Sequence, residues 1–310
     1  MTKRVTTSSL ISAAERRGWS VEDVHEVANL MIFTDTNGRR HLLRSLASEK
    51  SSFVHSYIAD NKDITYDIAA NLGVRIPKTA EFVSISQATE FLQKNQKIVV
   101  KPSNAAHGNG VTTGIVDPEN IMPAVELARK YSDKILLQEH CDGVDYRLLY
   151  IGGKFAAGII RYPAQVIGDG LSNIKDLITA ENNRPERGES YTKSLCYIDS
   201  VAATKFLGED NMKFVPNKDQ AVVVVGTSNL GTGGWTEDCT DNVPEMAIKN
   251  ADIMIQKYGF MTCAIDFMVS DSGEAVLIEV NFNPSIGLHL SPHKGKSQPV
   301  DELFLDWLES

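Results

Sequence analysis

Apolar positions along this 310-residue chain switch repeatedly between helical and strand spacing. Residues 8–17 read as a helix that Ser8 or Ser9 can cap and Gly18 can end. A short extended piece leads to Asn37-Gly38, a strong turn signal, and residues 41–47 and 52–59 are apolar-rich without a clear period. Residues 62–72 regain helical spacing, Gly73 stops them, and an extended exit runs to Pro77, where a boundary is set. Residues 86–95 predict an amphipathic helix with Ala88, Phe91 and Leu92 on one face. The β-branched run 97–101 predicts a strand, followed by a polar, glycine-bearing loop, a returning strand over 111–116, a helix over 119–131 and a strand over 135–138.

The second half continues the alternation. Residues 145–162 read as two strands joined at Gly152-Gly153, and 163–200 as an irregular segment of the kind that forms functional loops or lids. A buried strand is expected at 222–225, a polar loop over 229–243, a helix over 244–258, and a terminal strand pair over 262–269 and 274–280. Strands interleaved with helices give an α/β or α+β reading.

Composition narrows the function classes. Hydrophobic residues make up 42% and charged residues 23%, ordinary values for a globular protein. With 31 Lys plus Arg against 40 Asp plus Glu the net charge is −9, which supplies no basic footprint for nucleic acid. The four cysteines, Cys141, Cys196, Cys239 and Cys263, form no CxxC unit and suit a reducing compartment. The basic N-terminus lacks a secretory apolar core and no apolar run is long enough to span a bilayer, so the expected location is the cytoplasm, with no membrane partner.

The terminal strand pair carries the sharpest chemical signal. A two-residue turn at Ser272-Gly273 sets Asp271 against Glu274, Met268 against Leu277 and Asp266 against Glu279, with Asn281 two residues further on the same face. Facing carboxylates repel unless one is protonated or a cation lies between them. Two carboxylates and an amide oxygen are hard ligands suited to Mg²⁺. A solvated hairpin with its charges outward is the competing reading, and the apolar residues between the carboxylates argue against it.

Upstream, Lys101 ends a buried-looking strand beside a loop containing Gly108 and Gly110, where backbone N–H groups can approach phosphate. No GxxxxGK[ST] motif occurs, and a plain hairpin connection fits the same loop. Gln138-Glu139-His140 can offer backbone groups to an adenine edge, and Asp145 can accept from ribose hydroxyls; standing alone, the segment is a turn with solvated acids. Arg161, just before Pro163, is either a phosphate clamp or a surface arginine.

In this order the pieces resemble the ATP-grasp superfamily, and within it the ATP-grasp part of cyanophycin synthetase and of bifunctional glutamate–cysteine ligase/glutathione synthetase. The stretches that carry the resemblance are Lys101-Pro102 with HGNGV (107–111), DYRLLYIGGK (145–154), RYPAQVIGDG (161–170), ENNRPERG (181–188), SNLGTGGWTEDCTD (228–241), AIDF with IEVNFNP (264–284) and HLSPHKGK (289–296). The resemblance runs from about Lys62 to the end. It implies an α+β fold in which two subdomains grip ATP, here 78–145 as a lid and 146–310 with the metal site, behind a small N-terminal α/β domain over 1–77.

By the same resemblance Lys62 and Lys101 contact ATP phosphates and the loop with His107, Gly108 and Gly110 closes over them. Glu139 and His140 border the adenine, Asp145 the ribose, and Asp266, Glu279 and Asn281 hold Mg²⁺ (or Mn²⁺), as two ions. Arg161, with Lys101, stabilises the transferred phosphoryl group, and Asn229, Thr232, Gly233 and Gly234 line the acceptor side. The implied activity is a carboxylate–amine ligase that forms an amide through an acyl phosphate, acting on small amino-acid or peptide substrates. The loops at 107–111 and 168–170 are the candidate moving parts. A homodimer is compatible with the resemblance.

One departure stands out. Relatives commonly carry a basic residue shortly before the Asn-Leu-x-Thr-Gly-Gly stretch, where this chain has Val222 to Gly226. Two other readings therefore stay open: a modifier of a peptide or protein tail, and an ATP-binding regulatory protein with impaired catalysis.

Overall fold

A computed structural model describes residues 4–103, 110–189, 192–193 and 195–310. The chain opens with helix α1 (Val5–Arg16) and an antiparallel meander of β1 (Ser20–His25), β2 (Leu30–Thr34) and β3 (Arg40–Arg44), followed by helices α2 (Phe53–Asp60) and α3 (Lys62–Ala70). Next are β4 (Thr79–Glu81), α4 (Ile85–Asn95), β5 (Ile98–Pro102), β6 (Thr112–Ile115), α5 (Ile121–Arg129) and β7 (Ile135–Glu139), whose strands make an antiparallel sheet in the order β4-β7-β5-β6. The hairpin β8 (Val144–Ile151) and β9 (Lys154–Tyr162) then begins the largest sheet.

An insert follows, with β10 (Gln165–Ile167), α6 (Ile174–Asn182), β11 (Arg187–Gly188), β12 (Leu195–Cys196), α7 (Ser200–Leu207) and β13 (Ala221–Val223). The chain re-enters the large sheet at β14 (Trp235–Asp238), crosses α8 (Glu245–Tyr258), lays down β15 (Cys263–Val269) and β16 (Ala275–Asn281), and ends in α9 (Gly287–Leu290) and α10 (Val300–Glu309). The strand order is β14-β9-β8-β15-β16, antiparallel throughout. Antiparallel sheets with helices packed on them make the fold α+β. Among the described residues no helix is long and apolar enough to cross a membrane.

Strand alternation decides what each face of the large sheet meets. Leu148, Tyr150, Ile265, Phe267 and Leu277 pack against Ala247, Ala251 and Met254 of α8 and Tyr66 and Ala69 of α3. Leu149, Ile151 and Ala157 point the other way, against Leu10, Ala13 and Ala14 of α1 and Phe304, Leu305 and Leu308 of α10. On this second face the same alternation places Asp145, Arg147, Arg161 and Asp266 beyond the apolar rows. In the four-stranded sheet, Ile98, Val100 and Leu137 pack on α4 and α5, which leaves Val99, Lys101 and Gln138 on the opposite face.

Several expectations change. The first helix starts at Val5 rather than residue 8, and no side chain caps it; Ser8 and Ser9 lie inside it. The hairpin register is reached differently. Val269 pairs with Ala275 and Met268 with Val276, because the loop is one residue longer than a two-residue turn and Gly273 sits at φ 83°. Asp271 therefore does not face Glu274, whose carbonyl accepts from Ser270 N–H. A bulge between Asp266/Glu279 and Phe267/Leu277 takes up the slip, so Asp266 does oppose Glu279. The bulge also turns Leu277 to the α8 face while Glu279 stays on the Asp266 face.

The segment 163–200 is not an irregular lid. Ala164, Val166, Ile174, Ile178, Ile198, Ala203, Met212, Val224 and Val225 form a separate core between α6, α7 and the β10–β13 pair. The strand expected at 222–225 is an exposed pair partner over Ala221–Val223, and burial falls on Val224 and Val225 after it. The loop expected over 229–243 contains β14, which pairs with β9 from Trp235↔Tyr162 to Asp238↔Ile159. Gly168 donates to Gln220 and accepts from Asp219, so the 168–170 turn is tied to the chain after α7.

Candidate active site

A cavity of about 630 Å³ lies between the four-stranded sheet, the large sheet and the start of α1. Of the sequence-predicted residues, Lys62, Lys101, Glu139, His140, Asp145, Arg161, Asn229, Glu279 and Asn281 line it. His107 and Gly108 lie outside the described residues. Gly110 sits at φ 72° with space for a Cβ denied by the Tyr131 ring at 2.7 Å, so packing on α5 accounts for it. Val111 and Thr113 form that part of the wall.

Asp266 stands behind the wall, fully buried. Its Oδ1 accepts from Arg147 Nε at 2.8 Å; its Oδ2 accepts from Arg147 at 2.7 Å and from Asn281 Nδ2 at 3.3 Å, and lies 3.0 Å from the Arg161 guanidinium. Arg161 also donates to Asp145 at 2.7 Å. These pairs follow from register, since Arg147 sits opposite Asp266 and Asp145 opposite Arg161. Burial alone raises the Asp266 pKa, but Arg147 and Arg161 outweigh it and hold the carboxyl below the usual range. Burial likewise pulls on Arg161, and Asp145 and Asp266 together push its pKa up.

Thus the repulsion expected between facing carboxylates is relieved by protein cations. Asp266 has its two arginines, and Glu279 has Lys62 Nζ at 3.3 Å. Glu279 is the more open carboxylate, with its side chain 32% exposed and its face toward the cavity. Among the described residues no cluster of three or more His, Cys, Asp or Glu is arranged to hold a metal. The predicted set contains two such residues and an amide, a donor set that needs further oxygens from phosphate or water to complete a Mg²⁺ sphere.

Lys101 is buried and forms no ion pair among the described residues; Gln138 Oε1 accepts its ammonium at 2.8 Å and Tyr66 Oη at 3.4 Å. Desolvation, helped by the nearby Lys62, lowers its pKa to about 7. Glu139 turns its side chain to Arg75 and to Lys78, the latter at 3.5 Å, and residues 139–141 line the cavity. Burial and Lys97 lower the His140 pKa.

Of the residues expected on the acceptor side, Asn229 reaches the cavity together with Gly226, Thr227, Ser228 and Leu230, whereas Thr232, Gly233 and Gly234 do not. Thr232 Oγ1 donates to Asn229 O at 2.9 Å, and Gly233 at φ 99° would bring a Cβ within 2.5 Å of Ile198. These residues build the turn that presents 226–230.

The sequence reading missed Arg147, Tyr66, the side-chain contact of Gln138 with Lys101 and the contribution of the N-terminal portion. Period-two spacing already puts Arg147 on the face of Asp145, itself a predicted site residue, so that signal was present. Arg4, Thr6 and Ser45 wall the cavity from a distant part of the chain, and no local pattern announces them. Asn283 of the IEVNFNP stretch lines the cavity and also ties two segments together. Its Oδ1 accepts from Leu46 N–H at 3.0 Å and its Nδ2 donates to Arg44 O at 3.0 Å, clamping β3 to the end of β16. The cysteines are all free, and burial pushes the Cys141 thiol up to about 11.

No family model matches the chain. It is 30% identical over 321 residues to the glutathione biosynthesis bifunctional protein of Clostridium perfringens and 29% identical over 319 residues to that of Desulfotalea psychrophila, matches that cover 98% of this chain and 41% of each relative. The chain therefore spans about two fifths of the length of the curated relatives it matches. Its structure superposes on a bifunctional glutathione synthetase from Pasteurella multocida with a TM-score of 0.70 at 24% identity, covering 98% of this chain and 43% of that one. A D-alanine–D-alanine ligase from Bacillus anthracis gives a TM-score of 0.50 at 15% identity, covering 84% of this chain and 70% of that one.

Proposed function

From the ATP-grasp fold that this chain shares with those structures, we propose that it is an ATP-dependent carboxylate–amine ligase acting on amino acids or small peptides. The observation that carries the reading is the cavity in which Lys62 and Lys101 approach from one side and Glu279 and Asn281 from the strand pair on the other. Lysines neutralise phosphate oxygens, and hard oxygen donors suit Mg²⁺ held jointly with those phosphates. Bound there by Glu279 and Asn281, with Asp266 behind, Mg²⁺ would supply charge neutralisation on the triphosphate.

In the proposed reaction a carboxylate oxygen of the substrate attacks the γ-phosphorus of ATP, the bond to the β–γ bridging oxygen breaks, and ADP leaves. An amine nitrogen then attacks the acyl carbon, phosphate departs with the former carboxylate oxygen, and the nitrogen loses a proton. Arg161 faces the same cavity and, by releasing Asp145, can meet the transferred phosphoryl group. Residues 226–230 and the wall made by Arg4, Thr6 and Ser45 are the proposed substrate side. Glu139 and His140 are assigned to the adenine and Asp145 to the ribose. Within this reading, 1–77 supplies part of the substrate wall, 78–145 the lid and 146–310 the carboxylate strands. The four free cysteines support a reducing, cytoplasmic setting.

Labelling tests the acyl phosphate directly. With an ¹⁸O-carboxylate substrate, turnover should deliver one ¹⁸O into the released phosphate. Phosphate free of label, alongside amide product, would contradict this route.

A further inference from the structure

Buried lysines ordinarily acquire a carboxylate partner, because an unpaired ammonium is costly to desolvate. Lys101 has instead a cradle of neutral dipoles. Gln138 Oε1 accepts from Nζ at 2.8 Å, and Tyr66 Oη lies at 3.4 Å with its ring centroid 5.5 Å from the ammonium. All three side chains are buried. The amide is fixed in this orientation because its Nε2 donates to Thr79 Oγ1 at 3.0 Å and to Tyr66 Oη at 3.3 Å. Tyr66 Oη in turn donates to Ile278 O at 2.8 Å. Ile278 is the extra residue of the β16 bulge, so its carbonyl lies at the break in the ladder just before Glu279.

We propose that Gln138 and Tyr66 are positioning residues that aim the Lys101 ammonium at phosphate without cancelling its charge, and that tie it to the strand carrying Glu279. This rests on the proposed binding of ATP phosphates by Lys101. A carboxylate in the place of Gln138 would orient the ammonium equally well but would compete with phosphate for it. A neutral amide orients it and leaves its charge to the ligand. The charged and titratable groups around Lys101 are Lys62 and Asp63 of α3, Glu279 of β16, Cys141 after β7 and Tyr66 itself. Lys62 is the cation among them, and its repulsion is relieved when a polyanion arrives.

Calorimetric titration with ATP, with and without Mg²⁺, tests the role of the neutral amide. Gln138→Glu gains an ion pair with Lys101 but loses both Nε2 donations, so it should fold with a modest loss of thermal stability yet raise the Kd for ATP about tenfold or more. It should also abolish the proton uptake that accompanies ATP binding at pH 8, because Lys101 is then already charged. Gln138→Met, which keeps the volume and removes the hydrogen bonds, should lower stability more and ATP affinity less than Gln138→Glu. A purely structural Gln138 predicts the reverse order, and ATP affinity unchanged in Gln138→Glu would overturn the proposal. If that variant fails to fold, Tyr66→Phe carries the test: ATP affinity should fall about threefold or more, and wild-type affinity would contradict the role. A wild-type protein that binds no ATP would overturn the proposed function itself, an outcome distinct from either of these.

Discussion

Asp266 and Glu279 occupy opposed positions on neighbouring strands but live in different surroundings. Asp266 is sealed under two guanidinium groups, and Glu279 looks into the cavity beside Lys62. Their substitutions should differ accordingly. Glu279→Gln removes the charge of a partly open side chain that is proposed to hold Mg²⁺, so folding should be near wild type while ADP release falls about a hundredfold or more. Near-wild-type turnover at ordinary Mg²⁺ would remove Glu279 from the metal site. Arg147→Met leaves Asp266 with one guanidinium fewer in a fully buried place, and should cost about 3–5 kcal/mol in denaturant unfolding. A loss below 1 kcal/mol would mean that Arg161 and Asn281 suffice to hold the carboxylate.

Lys101 gives a pH-dependent signal whose sign is fixed by its environment. Its pKa falls to about 7 in the folded protein from 10.5, so at pH 8 the unliganded side chain is mostly neutral. Phosphate beside it favours the charged form, so ATP binding should take up a proton: about one at pH 8, about half of one at pH 7 and nearly none at pH 6. Titrations in buffers of different ionisation enthalpy measure this. Proton release at pH 8 would contradict the assignment of Lys101 to the phosphates. The same shift makes the folded state hold fewer protons than the unfolded one between pH 7 and 10.5, so this lysine's burial penalty, full below that window, fades as pH rises through it.

At the level of elements, glycines and clamps maintain the shape that presents these side chains. Gly233 at φ 99° lies against the Ile198 backbone, where any Cβ clashes, and it holds the turn of 226–230 to the insert core. Gly233→Ala should destabilise by about 2 kcal/mol or more and weaken substrate binding more than ATP binding. Equal losses for both ligands would mean that the turn serves the nucleotide as well.

Elements were legible where period and punctuation agreed. The β8–β9 hairpin at Gly152-Gly153, α8 ending at Gly259 and α4 with Ala88 and Leu92 buried follow from spacing alone. The Asp266–Glu279 pairing was reached from a two-residue turn that does not form, and the bulge at Ile278 restored it. A bulge depends on what each face must bury, which a single strand's sequence does not state. Residues 163–200 read as irregular because the strands there are two or three residues long and their core is shared among segments far apart in the chain. The part of the cavity wall made by Arg4, Thr6 and Ser45 has no local sequence signal for the same reason, since only the tertiary fold brings α1 against the loop after β16.

For the molecule as a whole, the large sheet is apolar on its α8 face and, on the other, changes along β8 and β9 from apolar rows beneath α1 and α10 to a lattice of charge at the cavity. Cations and anions there are paired within the protein and aimed at a space that a nucleotide can enter. The central claim is that this space couples ATP to amide formation. Its most direct test is an ADP-release screen over pooled amino acids and dipeptides, with mass spectrometry of the products. Some acid–amine pair should stimulate ADP release and yield a product lighter than the pair by one water. ATP that binds while no pair stimulates ADP release would contradict it, and would leave a nucleotide-binding protein without ligase activity.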